Sequence, residues 1–198
     1  MSRYLKFTGT IAALIILIAM TGTSCKKKQD QISAADTMTG NYFSVNQFML
    51  DEWNTFAGEP FMISKSVKEG DKIDSSMTNS DTINWAPLVK TFAETDISDR
   101  KFLGQYKFSQ FDDNADQTHN FFYEALDEDL FTRKLLITID RFTSRVKGIY
   151  IETEEKDLFD DKIQKLYYKP LKTVQIQTDD KPLMGSKKYT VVQYEFLR

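Results

Sequence analysis

The chain holds one histidine, His119, inside the polar run DDNADQTHN. A histidine triad needs a nucleophile and an acid grouped around the imidazole, and a zinc site ordinarily draws on more than one His or Cys. One imidazole and one thiol meet neither requirement, so His119 reads as a loop or strand-end residue. The same run sets Asp112, Asn114 and Asp116 at the first, third and fifth positions of a calcium loop. The sixth position, which must turn sharply, is Gln117 in place of Gly, and the twelfth, normally a bidentate acid, is Tyr123. An acidic hairpin loop is the better description. Carboxylates also pair at Asp127 and Asp129, Glu152 and Glu154, and Asp160 and Asp161. Glycoside hydrolysis needs two carboxyls across a cleft, one of them in an apolar pocket that raises its pKa. These pairs sit in polar, turn-like runs open to water. Nucleophile elbow, phosphate loop and dinucleotide fingerprint are absent from the sequence. No enzyme, metal or cofactor is indicated.

The one residue with a chemistry of its own is Cys25, in MTGTSCKKKQD. Ahead of it, Arg3 and Lys6 form a positive start, Ile11 to Met20 an apolar run, and Thr21 to Ser24 a small-residue exit, the three parts of an export signal. Ten residues of helix span about 15 Å, half of the roughly 30 Å hydrocarbon core, too short for a permanent span. A lone cysteine behind small residues resembles the lipobox of bacterial lipoproteins, although Gly22 stands where a Leu-like residue is usual. Looser lipoboxes of this kind occur in Bacteroidota. The resemblance implies that the Cys25 thiol receives diacylglycerol and that residues 1–24 are cleaved. The other reading is an ordinary cleaved signal with a free thiol near its end. Two or three acyl chains, at about 0.8 kcal/mol per methylene, anchor permanently.

With Arg3, Lys6 and Lys26 to Lys28 set aside, 21 basic residues face 29 acidic ones, a net of −8. Nucleic-acid binding needs a basic face to displace counterions, so nucleic acid is excluded as a partner. The expected partners are the membrane, through the lipid anchor, and an envelope protein or hydrophobic ligand. Lys26 to Lys28 either attract anionic head groups or simply solvate a tether. Surface-exported Bacteroidota lipoproteins often carry acids at this point. The lysines therefore direct the expectation to the cell envelope, at the outer membrane facing the periplasm.

The elements behind these residues divide by period. Residues 25–40 are polar and aperiodic, an acylated cysteine and flexible tether leading to a single domain over 41–198. SVNQFMLDEWNTFAGEP predicts a helix over 44–57, with Ser44 and Gln47 as a capping box and Val45, Phe48, Met49, Trp53 and Phe56 on one face. Residues 61–84 predict a hairpin turning at Glu69-Gly70-Asp71, or a serine-rich flap, with Met62, Ser64 and Ser66 on one side. NWAPLVKTFAETDI predicts a second helix over 84–94, capped by Asn84, with Pro87 in its first turn. From Lys101 the period falls to two. Seven strands follow, beginning with Phe102, Gly104, Tyr106 and Phe108 on one side. Consecutive strands tend to neighbour one another. The expected class is α+β: an up-and-down antiparallel sheet of about seven to nine strands covered on one face by two short helices.

DTINWAPLVKTFAETDISDRKFLGQYKF, YEALDEDLFTRKLLITI, KIQKLYYKP and KKYTVVQYEFL are similar to segments of small Bacteroidota lipoproteins of unknown function. That resemblance implies an exported, sheet-built body and brings no catalytic residue with it. Aromatic side chains remain as the means of binding. Phe122, Tyr150, Tyr168 and Tyr194 are the candidate ligand or partner face, although cross-strand packing accounts for such residues equally. Two functions follow. One is a non-catalytic envelope lipoprotein whose sheet domain binds a partner or ligand. The other is a lipid- or lipoprotein-binding half-barrel carrier with a helical lid.

Overall fold

The computed structural model describes residues 38–39, 42–158 and 160–197. The expected signal peptide, Cys25 and the tether as far as residue 37 lie outside the described residues. Two short strands open the described chain, β1 (Met38–Thr39) and β2 (Tyr42–Phe43), paired antiparallel.

Helix α1 (Val45–Phe56) starts where Ser44 caps it, the Ser44 Oγ accepting from the Gln47 amide at 3.1 Å. The reciprocal half of the capping box is not made, because the Gln47 side chain turns to Asp51 at 2.9 Å. Asp96 takes over from outside the helix. Its Oδ2 accepts from Ser44 Oγ at 2.6 Å and from the Asn46 amide at 2.7 Å, while Oδ1 accepts from the Ser98 amide at 2.6 Å. An anion thus meets the positive end of the α1 dipole, which has no acid of its own in the first turn. Gly58, at φ 85, takes the left-handed conformation just past the helix end.

Helix α2 (Ala86–Ala93) carries Pro87 in its first turn, as expected. Its cap position is Trp85, however, and not Asn84; Asn84 lies one residue further out and its Oδ1 still accepts from the Ala86 amide at 3.3 Å. The helices run antiparallel. Asp96, just past α2, holds the start of α1, and the Trp53 and Trp85 rings meet 6.4 Å apart at the opposite end.

Beneath them lies one antiparallel sheet. It comprises β3 (Met62–Glu69), β4 (Lys72–Asn79), β5 (Tyr106–Asp113), β6 (Thr118–Ala125), β7 (Thr132–Asp140), β8 (Val146–Lys156), β9 (Asp160–Lys169), β10 (Thr173–Pro182) and β11 (Lys188–Leu197). The order across it is β4-β3-β11-β10-β9-β8-β7-β6-β5. The seven later strands form the expected meander. The serine-rich hairpin is part of the sheet and not a flap, β3 pairing with β11 from Thr190↔Glu69 to Leu197↔Met62. The last strand described is thereby locked to the β3–β4 hairpin. One boundary differs from expectation. Phe102 belongs to a 3-10 turn and Gly104 has φ 78, so β5 begins only at Tyr106. Left-handed backbone at Gly104 is incompatible with a strand, and its amide instead donates to the Tyr42 hydroxyl at 3.0 Å.

The two-residue alternation sends Tyr123, Leu135, Ile151, Leu166 and Ile176, opposite one another on successive strands, toward the helices. The first four are buried completely. Each such side chain contributes about 1.5–3 kcal/mol by leaving water. Val45, Phe48 and Met49 of α1 and Leu88 and Phe92 of α2 close this core from above.

Candidate functional site

The helix layer is sealed at one end. There Tyr42 packs edge-on against Tyr106 and Tyr123, at 5.9 and 5.5 Å. The Tyr123 hydroxyl accepts from the Phe43 amide at 3.3 Å, and the Tyr106 hydroxyl donates to the Thr132 carbonyl at 2.9 Å. Burial pushes Tyr106 up to about 12 and raises Tyr123 as well. Each of these hydroxyls is matched to backbone.

The other end is open. Between the last turns of α1, the first turns of α2 and the sheet lies a crevice of about 70 Å³. Met49, Trp53 and Phe56 form one wall, Trp85 and Val89 the other, with Phe196 on the floor. The crevice adjoins a larger groove of about 360 Å³ that shares Trp53, Phe56, Ser80 and Trp85 and bears Glu59 and Asp81. Trp85 is fixed: its indole N–H donates to the Ser80 carbonyl at 2.8 Å, and its ring stacks on Phe196 at 5.9 Å. Trp53 is 38% exposed and forms a looser rim. Leu171 also lines the crevice, at φ 49, a left-handed conformation that costs a non-glycine residue about 1 kcal/mol.

One charged side chain reaches into this apolar space. Glu52 of α1 receives a hydrogen bond from the Tyr168 hydroxyl to its Oε2 at 2.7 Å. Burial pushes the Glu52 carboxyl above its ordinary value, the Tyr168 bond pulls it back in part, and Asp51 adds repulsion. Tyr168, buried against Phe48 and Phe92, is raised well above the usual phenol range by the same burial and by the neighbouring carboxyl. Among the described residues Glu52 has no Lys, Arg or His partner, and no hydrogen-bond partner besides Tyr168. Several other acids are taken up locally, whereas Asp179 and Asp180 on β10 each bury one carboxylate oxygen without a hydrogen-bond partner among the described residues. Asp96 caps α1; Asp113, Asp127 and Asp140 accept from backbone amides in their own turns. Bonds donated by the Thr143 amide and hydroxyl, and then by the Phe142 amide, hold Asp140 below the usual carboxylate range.

The candidate face named from the sequence is divided between two surfaces. Tyr168 and Tyr194 point under the helices, both opposite Val174, and Tyr194 packs on Trp85 at 5.6 Å. Phe122 and Tyr150 point the other way, in a row with Leu136 and Tyr167 on the uncovered side. Adjacent strands keep the alternation in register, so these four cannot share one face. Tyr150 donates to Glu152 at 3.1 Å and is pushed up to about 12, by burial first and the carboxylate second. Cys25 lies outside the described residues.

His119 stands on β6 with its Nδ1 2.5 Å from Asp112 Oδ1 on β5, a cross-strand pair at the sheet edge. Glu152 meets Lys134 at 3.5 Å, and Glu154 meets Arg133 at 3.6 Å and Lys156 at 3.5 Å. Among the described residues no group of three or more His, Cys, Asp or Glu is placed to hold a metal, and no helix is long and apolar enough to cross a membrane.

Sequence reasoning missed Glu52, and a signal for it exists. It lies three and four residues from Met49 and Phe48, and four from Phe56, so it interrupts the buried stripe of α1 with a charge. No family model, curated protein or solved structure matches the chain.

Proposed function

We propose that this chain is a non-catalytic cell-envelope lipoprotein, anchored through Cys25 at the periplasmic side of the outer membrane, whose sheet domain binds a partner through the crevice between its helices. The crevice itself carries the reading: an apolar-walled opening with a single polar pair, Glu52–Tyr168, at its base. Specific sites combine apolar walls with a few placed polar groups in this way. The half-barrel carrier is the weaker reading. Ligand sites for drug-sized molecules run to roughly 300–1,000 Å³, and the apolar crevice is only about 70 Å³. The larger space is the groove beside it, which carries Glu59 and Asp81, two carboxylates that an acyl chain would have to desolvate.

Both tryptophans of the chain, Trp53 and Trp85, line the crevice and the adjoining groove, so tryptophan emission reports on both, and a plug at Val89, which lines the crevice only, separates them. Titration with 1-hexanol, a neutral apolar probe, is expected to shift that emission saturably in the wild type and not in a plugged Val89→Phe variant. A linear response identical in both proteins would remove the crevice as a binding site. Palmitate labelling tests the anchor separately: label that persists in Cys25→Ser, or is missing from the wild type, would remove it.

A further inference from the structure

Building on the crevice as the binding site, we propose that its occupant is a lysine side chain of a partner polypeptide, with the ammonium against Glu52 and the flanking main chain in the adjoining groove. Charge is the first ground. The ionisable acids bordering the two spaces are Glu52, Glu59 and Asp81, and neither space is lined by Lys, Arg or His. A carboxyl in an apolar crevice without a cation is costly to keep ionised, and an incoming ammonium relieves that cost. The Tyr168 hydroxyl occupies Glu52 Oε2 and leaves Oε1 without a hydrogen-bond partner among the described residues.

The aromatic walls are the second ground. Trp53 and Trp85 both line the crevice, their ring centroids 6.4 Å apart, and a cation over an indole gains attraction that an aliphatic group does not. Size is the third. A volume of about 70 Å³ suits a short aliphatic stem with its head group, and the 360 Å³ groove suits the chain that bears it. Lysine meets both demands, since its four methylenes bury along apolar surface while the head finds a charge.

The test uses tryptophan emission on the whole folded protein with three probes: the peptide Ac-Gly-Gly-Lys-Gly-Gly-amide, its norleucine counterpart, and hexylammonium. Norleucine keeps the stem and lacks the ammonium. The lysine peptide is expected to bind about tenfold more tightly than the norleucine peptide, the range of a charge-assisted hydrogen bond. That ratio is expected to fall to about one in Glu52→Gln, which retains an acceptor for Tyr168; thermal melting verifies that this variant folds. Equal binding of the two peptides, or an undiminished ratio in Glu52→Gln, would overturn the lysine assignment while leaving the crevice as a site. Binding of hexylammonium without either peptide would overturn the polypeptide partner. Silence from all three probes, together with no response to hexanol, would remove the crevice reading as well.

Discussion

The two ends of the helix layer are built from the same residue types and reach opposite outcomes. At the sealed end, the hydroxyls of Tyr106 and Tyr123 pair with backbone, and Asp96 ties the start of α1 to the segment after α2. At the open end a tyrosine hydroxyl instead meets a carboxyl, Glu52, beside unfilled space. Polar groups matched to backbone amides and carbonyls rigidify a fold. A carboxyl held by one hydroxyl in an apolar crevice costs stability. The difference teaches that the sealed end is built as scaffold, while the open end is left with the space in which we propose that binding takes place.

Substitutions that probe each end should separate them by size of effect. Phe43→Ala, at a completely buried side chain of the sealed end, is expected to cost about 3–5 kcal/mol in urea unfolding. Asp96→Ala removes a charged partner from Ser44 and the Asn46 amide and is expected to cost about 2 kcal/mol by the same measurement. Tyr168→Phe removes one hydrogen bond, with an expected cost of about 1 kcal/mol. It also deletes the interaction that lowers the Glu52 pKa, so the Glu52 titration followed by carboxyl NMR should move further upward. Trp53→Ala, at the half-open rim, should change stability by less than about 1 kcal/mol. A cost at Trp53 equal to that at Phe43 would erase the contrast.

The pH dependence sharpens the same comparison. Glu52 has a folded pKa above its ordinary 4.5, so the folded state holds this proton more tightly than the unfolded chain. Its contribution to stability is fully present below about pH 4.5 and is lost as pH rises through the elevated folded value. Glu52→Gln removes that loss. The variant's stability relative to wild type should therefore grow between pH 4.5 and neutrality, measured by urea unfolding at each pH. A constant difference across that range would show that Glu52 has no raised pKa.

Much of this architecture is legible in the residues themselves. The apolar spacing of α1, the turn at Gly70 and the alternation of β6 to β11 each follow from a local period that the fold respects. What local pattern does not carry is the long-range closure. Nothing in MISKSVKE marks it as the partner of YTVVQYEFL, because edge pairing is set by the assembled sheet. Asp96 likewise reads as a helix-end acid, and its role in capping a helix fifty residues earlier appears only in three dimensions. The aromatic pairs were separable by face in principle, since Tyr167 and Tyr168 must oppose each other. Placing Phe122 and Tyr194 on opposite surfaces requires the register across six strands. Glu52 was hidden by the strength of the stripe around it.

The distinction between scaffold and site can be read directly by methyl NMR during titration with the lysine peptide. Shifts are expected at Met49, Leu88, Val89, Leu171 and Val174 around the crevice, with Leu135, Ile137 and Ile151 of the central core unmoved. Perturbations centred on Leu136 of the uncovered face, or spread evenly through the core, would contradict a binding site at the open end of the helices.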